Sequence, residues 1–172
     1  MDRCSWAQHG DERMRAYHDE EFGRRKHSDT ALFEKLCLEA FQAGLSWRTV
    51  LDKRAAFREA FFGFDVKKVA QLTEDDTEAL MGDPRIIRNR RKIEAVIHNA
   101  RLMSAQFGPE NSFVTYVYGF DDGTALSRDL KARGFRFAGP VVCASFLGSV
   151  GAVEAHEPGC FLYGRTTPCR RI

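Results

Sequence analysis

Apolar positions recur at helical spacing in one segment of the chain after another. Between Ala31 and Ala43, residues Leu32, Leu36, Ala40 and Ala43 form one stripe, with Phe33 and Cys37 beside it. Ser28 or Asp29 can cap that helix, and Gly44 stops it. A second helix is predicted from Trp47 to Phe61 on Val50, Leu51, Arg54, Phe57 and Phe61. Thr73, with Asp76 three residues on as a near capping box, opens a third helix that Gly82 ends. After Asp83 and Pro84 a long helix follows, with Ile93, Val96, Ile97, Ala100, Met103 and Phe107 at helical spacing. A short aromatic helix is expected over Phe113–Phe120, and another from Thr124 to Arg133, closed by Gly134. Pro140 fits the first position of a last helix running through Val142, Phe146 and Leu147. No segment alternates along a strand's length between turn signals, so the fold predicted is all-α with no sheet.

Composition narrows the class. A chain of 172 residues can bury a sizeable core and reads as one domain, 1–172. Its 44% hydrophobic and 29% charged residues are those of an ordinary soluble protein, and no apolar run is long enough to span a bilayer. The start, Met1 to Trp6, lacks the apolar region of a signal peptide, so a cytoplasmic protein is expected. Five scattered cysteines, an odd number, fit a reducing compartment better than a disulfide framework. Cys37 and Cys143 fall in apolar segments and read as small buried hydrophobes, while Cys169 reads as an exposed spare thiol able to compete with Cys160.

The net charge of +2 says little, but its distribution says more. Residues 85–92 hold five basic groups and no acid, and Arg128, Lys131, Arg133 and Arg136 oppose only Asp129. Patches of this kind suit a polyanion met on one face. At Gly82 a helix stops, turns, and a second helix begins among basic side chains, which can build an anion site from backbone N–H groups and Arg/Lys.

Two ligand pairs stand at opposite ends of the chain: Cys4 with His18, and His156 with Cys160. The His156-x-x-x-Cys160 spacing places both side chains on one face of a helical turn or tight loop. Two sulfurs and two imidazoles complete a tetrahedral zinc shell without an open position, a structural site that would tie the termini together. Between the pairs lie Glu39, on the edge of an apolar stripe, and the rings Trp6, Tyr17, Phe22 and Trp47. Taken singly, such a glutamate reads as a surface residue and such rings read as core.

Taken together, the motifs resemble a family. Arg3-Cys4-x-Trp6, Tyr17-His18-Asp19-x-Glu21-x-Gly23, Gln42-Ala43-Gly44-Leu45-Ser46-Trp47, Ile86-Ile87-Arg88 through Lys92-Ile93, Arg133-Gly134-Phe135-x-Phe137 and His156-x-x-x-Cys160 occur in that order. The chain resembles, over nearly its whole length, the 3-methyladenine DNA glycosylase I family of the helix-hairpin-helix glycosylases. The resemblance implies excision of 3-methyladenine from alkylated double-stranded DNA after base flipping, leaving an abasic site without lyase activity. It implies a bacterial monomer with one structural zinc on Cys4, His18, His156 and Cys160, and no membrane partner. It implies that Glu39 hydrogen-bonds the flipped base, that Trp47 and Tyr17 stack on it with Trp6 beside them, and that Ser145 stands at the pocket wall. Phe22 would supply an aromatic face where the family commonly has tryptophan. Gly44 and Leu45 would probe the gap in the duplex. A helix-hairpin-helix near 74–107 would grip DNA through Gly82, Arg85, Ile86, Arg88 and Lys92.

Lys92 and Lys131 lie in basic runs that read as exposed, which gives no Schiff-base lysine. Two further departures from the family stand out: Arg85 replaces a hairpin glycine, and the link Asp121-Asp122-Gly123-Thr124 is short. Two other readings compete: a zinc-stapled protein that binds damaged DNA without turnover, and a glycosylase shifted towards a base such as 3-methylguanine.

Overall fold

The computed structural model describes residues 2–165, so Cys169 lies outside the described residues. Ten α-helices follow one another among the described residues: α1 Ser5–Gln8, α2 Glu12–Glu20, α3 Asp29–Gln42, α4 Trp47–Ala60, α5 Val66–Ala70, α6 Glu74–Gly82, α7 Arg90–Gln106, α8 Phe113–Val117, α9 Gly123–Ala132 and α10 Pro140–Ser149. Among the described residues there is no strand, only an isolated bridge between Gly108 and Asn111. No helix of the described residues is long and apolar enough to cross a membrane.

Caps set most of the boundaries. Ser28 accepts a hydrogen bond from the Ala31 N–H and opens α3, which ends at Gln42 and leaves Ala43 outside the helix and exposed, off the expected apolar stripe. The capping box at Thr73 and Asp76 is formed in both directions. The long helix α7 starts later than the hydrophobic pattern suggested, because the Asn89 side chain caps it by accepting from Lys92 N–H; residues 83–89 are a turn. The aromatic helix is also shorter than expected, ending at Val117. Helices α1, α2 and α5 went unpredicted: each has too few apolar positions for a readable stripe. In α2 only Met14, Tyr17 and His18 are buried.

Helix α3 is the centre of the molecule. Leu32, Phe33, Leu36, Cys37, Leu38, Ala40 and Phe41 are all buried, with the Phe41 ring 4.4 Å from that of Phe57. The apolar helix α10 packs on α3 and α9, with Cys143, Phe146 and Leu147 fully buried. Helix α7 sends Ile93, Val96, Ile97, Ala100 and Met103 into the same core. Cys37 and Cys143 are thus core thiols, as their apolar settings suggested.

Two glycines place the segments that matter for the site. Gly44 takes φ +82°, a value open to glycine at little cost, and so breaks the chain sharply between α3 and α4, leaving Leu45 exposed. Gly151 takes φ +68°, and a Cβ there would stand 2.4 Å from the Gly23 carbonyl oxygen. The Gly23 N–H donates to Ser149 O at 3.0 Å, so the chain after α2 is seated against the end of α10. The segment 151–164 then folds back in successive turns, and Phe161 N–H donates to Asp2 O at 2.9 Å. His156 and Cys160 therefore sit in a turn and not on a helix.

Candidate functional site

Where α2, the end of α3, the start of α4 and one face of α10 converge, they enclose a cavity of about 490 Å³. Trp6, Tyr17, Phe22, Glu39, Trp47 and Ser145 all line it. These six come from separate stretches of sequence, and the fold brings every one of them to the same cavity. The rings form a contiguous cage: Trp6 and Phe22 meet edge to face at 5.1 Å, and Tyr17 and Trp47 are tilted at 5.1 Å. Ala144, Ser145 and Gly148 line it from α10, where Gly148 stands one turn beyond Ala144.

Glu39 is the one carboxylate in the lining, and it is 5% exposed. The sequence places it on the edge of an apolar stripe, where a lone glutamate reads as a surface residue; it is buried because α3 is covered on nearly all sides. Its partner is a residue that sequence reading missed. Lys35, one turn earlier on α3, places Nζ 3.1 Å from Glu39 Oε1. The same ammonium donates to Tyr17 Oη at 2.6 Å and lies 3.5 Å from the centroid of the Trp47 ring. An i, i+4 Lys–Glu spacing on a helix was the available signal. Burial pushes the Lys35 ammonium down to about 8, against the opposing pull of Glu39. Burial also pushes the Tyr17 phenol well above its ordinary range, so it stays protonated. Among the described residues, Trp47 Nε1 is the one buried side-chain polar atom with no partner.

Beside the cage lies a second cluster. One ligand atom from each of Cys4, His18, His156 and Cys160 falls within 4.8 Å of all the others, and the four residues are buried. Cys4 Sγ is 3.5 Å from His156 Nδ1, Cys160 Sγ is 3.4 Å from His18 Nε2, and Cys160 Sγ is 3.8 Å from His156 Nδ1. Tetrahedral Zn–S and Zn–N bonds require S···N edges of about 3.5–3.6 Å, so the donor set fits that ion. The surroundings fit as well. His18 Nδ1 is 2.8 Å from Asp19 Oδ1, Asp19 is held by Arg3 at 2.7 Å, and backbone N–H groups of Glu157 and Leu162 donate to the two sulfurs at 3.3 and 3.4 Å. Burial pushes the Cys4 thiol up to about 11 and His156 down, so the cluster by itself disfavours charge. The His18 ring lies 5.2 Å from Trp6, and the His156 ring 5.1 Å from Phe22, so cluster and cage share a wall.

The basic run at 85–92 divides on folding. Lys92 is buried and not exposed: the third residue of α7 falls on its core face, beside Ile93. Its ammonium donates to Phe41 O at 2.8 Å and Ala43 O at 2.6 Å, the carbonyls at the end of α3. It therefore anchors the Gly44–Leu45 turn and is not a free phosphate ligand, nor is it the exposed lysine that the charge pattern suggested. Ile86 is also core, 2% exposed, since the turn at 83–89 folds its side chain inward. Arg85 is exposed yet paired with Asp83 at 2.9 Å and Glu59 at 2.7 Å, and Arg90 is paired with Glu74 at 2.9 Å. Gly82, Arg88 and Arg91 remain exposed, and neither arginine has an ion pair among the described residues.

A helical fold whose cavity joins a buried carboxylate to an aromatic cage defines a site for a flat, electron-poor ring, and the comparisons place it among the N-glycosylases. The methyladenine glycosylase profile matches residues 6–125 and 120–163. The two segments meet at the short link 121–124. DNA-3-methyladenine glycosylase 1 of Escherichia coli (strain K12) is 40% identical over 188 aligned positions, which cover 98% of this chain and 100% of that protein. The DNA-3-methyladenine glycosylase of Haemophilus influenzae is 38% identical, covering 92% and 96%. Among solved structures, a 3-methyladenine DNA glycosylase I superposes with a TM-score of 0.89 at 38% identity, covering 94% of this chain and 100% of that one. The chain belongs to the methyladenine glycosylase family.

The place of Lys92 can be tested directly. Lys92→Met removes the donor from two carbonyls at a helix end and is expected to destabilise the protein by about 1–3 kcal/mol in urea unfolding. An unchanged unfolding midpoint would return Lys92 to the surface.

Proposed function

We propose that this chain excises 3-methyladenine from alkylated double-stranded DNA, hydrolysing the N-glycosidic bond to release free base and leave an abasic site, with no lyase step. The observation that carries this reading is a buried carboxylate inside an aromatic cavity. A volume of about 490 Å³ lies within the range of about 300–1,000 Å³ usual for small-ligand pockets. The family relation supports it, as does a solved variant of 3-methyladenine DNA glycosylase I in complex with 3-methyladenine, which superposes at a TM-score of 0.85.

The chemistry follows from charge. A base methylated at N3 is a cation in the duplex, and its bond to the sugar is already weakened. When that bond breaks, the electron pair moves onto the ring and neutralises it, while water supplies hydroxyl to the sugar and gives up a proton. Flipping the nucleotide out of the stack costs roughly a few kcal/mol. Stacking a desolvated cation on Trp47 and Tyr17 returns on the order of 1–2 kcal/mol. A charge-assisted hydrogen bond from the base to Glu39 adds about 1.5–3 kcal/mol. Trp47 Nε1 leaves one more donor unused at the wall. A neutral purine forfeits the two charge-dependent gains and needs a proton to leave, so the site discriminates by charge as well as shape.

The remaining parts have structural roles in this reading. Leu45, exposed at the Gly44 break, probes the gap in the duplex, and α6, the turn 83–89 and α7 act as a helix-hairpin-helix that holds the backbone through Gly82, Arg88 and neighbouring N–H groups. Zinc on Cys4, His18, His156 and Cys160 holds the wall that carries Trp6, Tyr17 and Phe22; bound there, the ion supplies structure, with all four positions filled by protein. A cytoplasmic monomer serves this role.

Two measurements test the reading. Wild-type protein should release 3-methyladenine from methylated DNA in a chromatographic assay, and Glu39→Gln should cut the rate at least about tenfold, about 1.4 kcal/mol. Wild type releasing nothing, or chiefly 3-methylguanine, would overturn it. Elemental analysis should find one zinc per chain, and His156→Ala should lower both melting temperature and base release. Full stability and activity in metal-free protein would remove the zinc.

A further inference from the structure

Lys35 is a buried charge in the wall of the cage that base excision leaves without a role. It lines a smaller cavity of about 80 Å³ behind the cage, which shares the Tyr17 and Trp47 walls with the larger one. Its side chain is 8% exposed. Every contact its ammonium makes is with a group assigned to the base: the Glu39 carboxylate at 3.1 Å, the Trp47 ring centroid at 3.5 Å, the Tyr17 ring centroid at 4.9 Å and the Tyr17 hydroxyl at 2.6 Å. We infer that Lys35 is a resident stand-in for the substrate's charge, a positioning residue that holds the Glu39 carboxylate and the Tyr17 and Trp47 rings in their binding arrangement while the pocket is empty. This rests on the reading of Glu39 as the group that holds the cationic base.

The physical case has two sides. A buried carboxylate without a counter-charge favours its neutral form, which is useless for binding a cation. An ammonium behind the cage prevents that without filling the base cavity, because Lys35 lines the smaller cavity and not the larger one. Among the described residues the other nearby cations are engaged elsewhere: Arg48, which lines the larger cavity, pairs with Asp11 at 3.0 Å. Arg54 is taken by Glu21 at 2.7 Å and Arg58 by Glu34 at 2.8 Å, while Lys26, on the rim of the small cavity, acts on Lys35 as a repelling charge. Burial has brought Lys35 itself down to about 8, so it carries its charge below that pH and loses it above. The counter-charge is therefore present at neutral and acid pH.

The sign of the pH effect separates this role from mere packing. Lys35→Met keeps the volume and removes the charge at every pH; wild type loses the same charge only above about 8. Base release from methylated duplex DNA, measured from pH 5.5 to 9, should therefore differ about tenfold or more at pH 5.5, equivalent to one pH unit on the acid limb, and converge to within about twofold at pH 9. Lys35→Arg, charged throughout, should keep the wild-type acid limb. Lys35→Gln serves the same comparison should the methionine variant fail to fold. A loss that is equal at all pH values, or no loss at any, would overturn the inference while leaving the excision reading intact. Wild type without base release would sink the excision reading first and this one with it. A borohydride-trapped protein–DNA adduct that disappears in Lys35→Met would make the lysine a nucleophile and also overturn it.

Discussion

A carboxylate on α3 is almost wholly withdrawn from water, and desolvating such a charge carries a penalty of several kcal/mol. Lys35 offsets that penalty from one turn away, and the pair is the interaction around which the site is arranged. Because both residues project from the same helix, their spacing is fixed by helix geometry and not by loop packing. The rings of Tyr17 and Trp47 then close over the ammonium from α2 and α4. A cavity built in this way offers a carboxylate already paired from behind, together with aromatic faces, to whatever enters it.

The rest of the molecule keeps those groups in register. Lys92 ties the carbonyl end of α3 to the start of α7, which fixes the Gly44 break and hence the entry angle of Trp47. At the other wall, the Cys/His cluster joins α2 to the turns at 154–162, so that Trp6, Tyr17 and Phe22 are held by chain segments from both ends of the sequence. Glu157 reinforces the same closure by accepting from Ser5 N–H and Oγ at 2.7 Å. The two lysines do opposite things with one chemistry: Lys35 neutralises a charge inside the pocket, and Lys92 satisfies dipoles outside it.

Much of this was legible in the sequence, and the gaps have physical causes. Long helices with sustained apolar periodicity, α3, α4 and α7, were readable because a period of 3.6 residues persists over several turns. The short α1, α2 and α5 were not, since two or three buried positions make no pattern. The four Cys/His residues, Glu39 and the ring set were found because rare residue types in order are specific. Charge was read less well. The five basic residues at 85–92 look alike in sequence, yet one is buried, two are locked in ion pairs and two have no ion pair among the described residues, and only the phase of α7 and the acids on α4 and α6 decide which. Lys35 was passed over for the converse reason: a lysine beside apolar residues reads as the solvent edge of a helix, and nothing local reveals that α3 is covered on that edge too.

Both tryptophans of the chain, Trp6 and Trp47, stand in the cavity wall, which makes them reporters of what enters it. A ¹⁵N spectrum of the indole N–H groups, titrated with 3-methyladenine and separately with adenine, therefore reads whether the base enters the cage. Both indole signals should move with 3-methyladenine along one saturating curve, with much weaker shifts for adenine. Indole signals that stay fixed while backbone resonances elsewhere titrate would place the base outside the cage.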